Sequence, residues 1–67
     1  MKIVINGQYR PVDDSVISVS DLIDSLELGV KTVVVEWNDQ ILTKDLHSTT
    51  KLADGDKIEI VHFVGGG

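Results

Sequence analysis

A single amphipathic segment sits in a chain otherwise patterned for strands, and that ratio limits the folds open to it. Val19, Leu22, Ile23 and Leu26 recur at i, i+3, i+4 and i+7, an apolar stripe along one side of a helix. Ser20, Asp21, Asp24, Ser25 and Glu27 take the other side. Ser18 is the expected N-cap, with Asp21 completing an approximate capping box and well placed against the helix dipole. Gly29 suits the left-handed position that would stop the helix. One such stripe needs one apolar surface to lie on.

The flanking segments supply it. Lys2 to Asn6 places Ile3 and Ile5 on one face of a strand and Val4 on the other. Asn6-Gly7 is a strong turn signal into Tyr9-Arg10-Pro11-Val12, so the first two strands form a hairpin. Pro11 cannot donate to a ladder, which makes the second strand an edge. Thr32 to Trp37 reads as a strand with Val33 and Val35 inward, and Asn38-Asp39 turns it into Gln40-Ile41-Leu42. Thr43 to Ala53 is polar and irregular, with Leu46 and Leu52 as expected core anchors. Asp54-Gly55-Asp56 turns the chain into a last strand whose Ile58 and Ile60 face the helix. His62 follows them on the inward side as a half-buried packing residue, while Glu59, Val61 and Phe63 face outward. The expected class is α+β: a mixed four- to five-stranded sheet with one helix across it, the β-grasp arrangement of ubiquitin. Its last strand would be central and parallel to the first. Residues 1–64 form the domain and 65–67 a flexible glycine tail.

Composition closes off several functions. Sixty-seven residues make one domain, and a chain so short buries only about 60% of its unfolded surface. Eleven acidic against six basic residues give a net charge of −5, the wrong sign for nucleic acid. Such a chain is instead steered toward basic protein surfaces. Cysteine is absent, which removes disulfides, thiol nucleophiles and thiolate metal ligands together. His47 and His62 are the only histidines, and no acidic cluster has a zinc or calcium spacing. No metal site, nucleophile elbow or P-loop can be read, so an enzyme with its own catalytic residues is not expected. Nor is a secretory signal or membrane span visible, and a cytoplasmic protein is expected.

The chain closes on Gly65-Gly66-Gly67 directly after an apolar strand. Three residues without Cβ atoms can thread a tunnel too narrow for any side chain. The group so delivered would be the Gly67 carboxylate. Val61 and Phe63, beside Glu59, flank the tail and are the expected docking residues for whatever receives it.

With these parts in place the chain resembles the ThiS family, the sulfur carriers of thiamine thiazole biosynthesis. The marks are Met1-Lys2-Ile3 leading to Asn6-Gly7, the helix Val19 to Leu28, and Val35-Glu36-Trp37-Asn38. The most specific stretch runs from Asp54-Gly55-Asp56 through Ile58-Glu59-Ile60-Val61-His62-Phe63-Val64 to the final glycines. Members often carry a Pro-Arg pair and then an aromatic residue after the fourth strand, where this chain has Thr43-Lys44 and His47. The resemblance implies a carrier, acted on by a ThiF-like (E1-like) adenylating enzyme that holds ATP and Mg²⁺. It implies a persulfide sulfur donor and delivery from a Gly67 thiocarboxylate to a ThiG-like thiazole synthase. The competing expectations are a carrier for molybdopterin or another thiolated product, and a ubiquitin-like modifier conjugated through Gly67.

Overall fold

A computed structural model describes residues 1–28 and 32–63. In chain order the elements are β1 (Lys2–Ile5), β2 (Gln8–Pro11), α1 (Val19–Ser25), β3 (Val33–Trp37), β4 (Gln40–Leu42), a 3₁₀ turn (Lys44–Leu46) and β5 (Lys57–His62). They form a five-stranded sheet in the order β2-β1-β5-β3-β4. β5 is central and parallel to β1, and every other pairing is antiparallel. The sheet is therefore the mixed, single-helix β-grasp that the pattern called for.

Both hairpins turn through the left-handed region. Asn6 and Gly7 have φ of 49° and 83°, and Asn38 and Asp39 have 47° and 69°, the primed geometry that matches strand twist. Period-two alternation then sorts the side chains. Ile3, Ile5, Val35, Leu42, Ile58 and Ile60 are buried on one sheet face, against Val16, Val19, Leu22 and Ile23. At about 1.5–3 kcal/mol for each fully buried aliphatic side chain, this layer holds the fold together.

The helix is capped at both ends, though not throughout as expected. At its start the Asp21 N–H donates to Ser18 Oγ at 3.1 Å, and the Ser18 N–H donates to Asp21 Oδ2 at 3.1 Å, closing the capping box. The other free N–H groups are met by the irregular connection: Val19 donates to the Thr50 carbonyl and Ser20 to that of His47. At its end the helix stops sooner than Gly29 suggested. Leu26 is the C-cap, Glu27 takes φ 61°, and the N–H groups of Glu27 and Leu28 donate to the carbonyls of Asp24 and Ile23. This is a Schellman closure. It forms there because Leu28 must fold back onto the core. Gly29 itself lies outside the described residues.

Two further expectations change. Leu46 is exposed, and His47 is the residue of the connection that goes inside, while Leu52, partly buried, does pack against the core. His62 is exposed rather than half-buried. It keeps the inward parity, opposite Val33, but α1 is seven residues long and leaves the strand's end uncovered.

Candidate functional site

The site is assembled on the last strand and on the sheet face away from the helix. β5 is anchored at its start by the Asp54-Gly55-Asp56 turn. Asp54 Oδ1 accepts from the Lys2 N–H at 2.7 Å, and the Gly55 N–H donates to the Lys2 carbonyl at 2.8 Å. Gly55 has φ +87°, a conformation that favours glycine. Asp56 accepts from the Ala53 N–H at 2.8 Å, the Trp37 indole at 3.0 Å and the Asn38 amide at 3.1 Å. Burial on its own would raise its carboxyl pKa, but these three donors together outweigh it and hold the group below the usual range. Asn38 completes the knot, its Oδ1 accepting from the Lys57 N–H at 2.9 Å.

From this anchor β5 runs between two neighbours. Its register with β3 continues through Val34↔Val61 and Val33↔His62, and the Phe63 N–H donates to the Thr32 carbonyl at 3.0 Å. The strand is thus tied to the sheet up to the last described residue. Val64 and the tail glycines Gly65, Gly66 and Gly67 lie outside the described residues.

Glu59, Val61 and Phe63 do point away from the helix, and all three are exposed, Val61 and Phe63 at 56% each. The strand pairings bring further groups to this face that the sequence reading did not single out. Val34 stands opposite Val61 and is exposed. Ile41 stands opposite Glu36 and is 72% exposed, and Tyr9, opposite Val4, is 75% exposed. Strand parity could have found Val34 and Ile41, since each alternates with an inward-facing neighbour.

Glu36 and Glu59 are directly opposed across β3 and β5, a like-charge pair that weakens a sheet. Lys57 offsets it from the same face. Its ammonium, hydrogen-bonded to Asp39 at 2.7 Å, is held charged above its ordinary range first by Asp39 and more weakly by Glu59 and Glu36. Among the described residues, no group of three or more histidine, cysteine or acidic side chains could hold a metal ion. No described helix is long and apolar enough to cross a membrane. The site consists of an exposed apolar face, an acidic pair within it and the strand that leads into the tail.

The model of the ThiS family matches residues 3–67, from the first strand through the glycines. The chain belongs to the ThiS family. It is 48% identical over 50 residues to the sulfur carrier protein ThiS of Bacillus subtilis, covering 75% of this chain and 76% of that one. The crystal structure of the thiamine biosynthesis protein ThiS from Geobacter metallireducens superposes with a TM-score of 0.82 at 32% identity, with both chains covered completely. A thiazole synthase of Paramagnetospirillum magneticum is 42% identical over the whole of this chain, which spans only 20% of that protein's length.

Proposed function

We propose that this ThiS-family chain is a sulfur carrier in thiamine biosynthesis, a protein cosubstrate rather than a catalyst, with its sulfur borne on the C-terminal carboxylate of Gly67. The observation that carries the reading is the placement of β5. A central strand, tied to the sheet as far as Phe63, is followed in sequence by Val64 and three glycines. A rigid body followed by a side-chain-free arm suits delivery of a carboxylate into another protein's narrow site.

The chemistry then follows from what a carboxylate lacks. Its own leaving group is oxide, so it cannot act as an acyl donor. In a ThiF-like partner holding ATP and Mg²⁺, the Gly67 carboxylate attacks the α-phosphorus and expels pyrophosphate, leaving an acyl-adenylate. The outer sulfur of a persulfide attacks the acyl carbon and displaces AMP. A thiol then cleaves the S–S bond of the resulting acyl disulfide, forming a new disulfide and freeing the thiocarboxylate. That sulfur is nucleophilic and passes to a thiazole synthase. A chain without cysteine has no thiol to compete at any step, and a reducing, cytoplasmic setting is consistent with it.

Ordering the tail costs about 1–2 kcal/mol per residue, so docking of the body must offset several kcal/mol. Val61, Phe63 and Val34 supply apolar area beside the exit. Glu59 and Glu36 would meet a basic group of the partner, which relieves their mutual repulsion. Loading assays on tail variants test the proposal. Gly66→Val, or removal of Gly67, is expected to leave unfolding unchanged and abolish thiocarboxylate formation. Normal sulfur loading of either variant would contradict it.

A further inference from the structure

β1 gives up its backbone pairing with β5 early. The register runs Val4↔Lys57 and Ile5↔Ile58, after which Asn6 takes φ 49° and the chain leaves for the hairpin turn. β5 continues to His62. Across the gap the Asn6 side chain takes over. Its Oδ1 accepts from the Ile60 N–H at 2.8 Å, and its Nδ2 donates to the Ile60 carbonyl at 3.2 Å. These are the acceptor and donor that a continued β1 would have offered. The Asn6 N–H itself donates to the Ile58 carbonyl at 2.9 Å. Asparagine suits this left-handed turn position, and so does glycine, but the turn does not account for both carboxamide atoms being spent on Ile60.

We propose that Asn6 is a positioning residue, whose carboxamide clamps the exit strand at Ile60 and so holds the end of β5, as far as Phe63, in place on the body. The proposal rests on the carrier reading above. Without the clamp, β5 past Ile58 is held from the β3 side alone, through the register from Glu36↔Glu59 to Val33↔His62 and the Phe63–Thr32 hydrogen bond. A strand held at one edge can twist about it. The fold tolerates that, because two neutral hydrogen bonds are a modest part of its stability. A reacting carboxylate is less tolerant: a misplacement of about 1 Å can cost about 100-fold in rate.

Asn6→Gly keeps the left-handed turn and removes both bonds. In that variant, amide exchange at Ile60 is expected to rise at least about tenfold beyond any change at buried Val35, with Phe63 following Val35. With the adenylating partner, kcat is expected to fall about tenfold while KM, set by the docked body, moves less than about twofold. Asn6→Asp keeps the turn preference and the acceptor for the Ile60 N–H, and should return part of both readouts. It also serves if the glycine variant does not fold. Ile60 exchange that tracks Val35, or loading of Asn6→Gly at the wild-type kcat, overturns the proposal. A wild-type chain that no adenylating partner accepts sinks the carrier reading instead, and Ile60 exchange then decides whether Asn6 clamps the strand.

Discussion

His47 is buried, and among the described residues its Nε2 finds no hydrogen-bond partner. Its backbone has a clear task, accepting from the Ser20 N–H at 2.8 Å to satisfy the start of the helix. Among the described residues its ring leaves Nε2 unpaired, and an unpaired buried polar atom costs about 1–3 kcal/mol. His47→Phe is therefore expected to raise the thermal midpoint, and His47→Ala to lower it by opening a cavity. A lower midpoint for the phenylalanine variant would show that the ring nitrogens are satisfied in solution. Glu27 poses a similar question at the other end of the helix. Held at φ 61°, it carries a left-handed strain that glycine relieves, so Glu27→Gly should stabilise by about 0.5–1 kcal/mol in denaturant unfolding. Both residues escaped the sequence reading for one reason. Composition pointed to Leu46 and Gly29 for these roles, but the backbone is positioned by contacts distant in sequence, which local propensity does not encode.

Elements were far more legible. Both turns, the edge strand marked by Pro11, the capping box and the central last strand could all be read from alternation and turn residues. What stayed hidden was how the elements are tied together. The irregular connection lends carbonyls to the helix, and Asp56 gathers donors from Ala53, Trp37 and Asn38. That knot makes a pH prediction. The folded pKa of Asp56 is lowered, so its contribution is fully present above the unfolded carboxyl value of about 3.9. It is lost as pH falls through the lower folded value. Urea titrations across this acid range should show a shallower loss of stability for Asp56→Asn than for the wild type, from a lower starting point at neutral pH. Parallel curves would remove the knot from the acid limb. Ser18→Ala should cost about 1 kcal/mol by loss of the cap.

At the scale of the molecule, one sheet face is spent on the core and the other stays exposed. The stripe of Val19, Leu22 and Ile23 is buried against Ile3, Ile58 and Ile60, while Val61, Phe63, Val34 and Ile41 stay exposed on the far side. The exposed residues add little to stability and, in the carrier reading proposed above, take the docking role. Phe63→Asp should thus fold like the wild type yet be adenylated more slowly, through a higher KM for the carrier; an unchanged KM would remove Phe63 from the docking face. The central claim is that this body exists to present Gly67 to another protein's chemistry. It is tested most directly by the intact mass of the chain after incubation with ATP, the adenylating partner and a persulfide source. The account predicts that one oxygen is replaced by one sulfur on the free protein, dependent on ATP and absent when Gly67 is removed. A mass that never changes, or one that appears only as an adduct to the lysine of another protein, would contradict it.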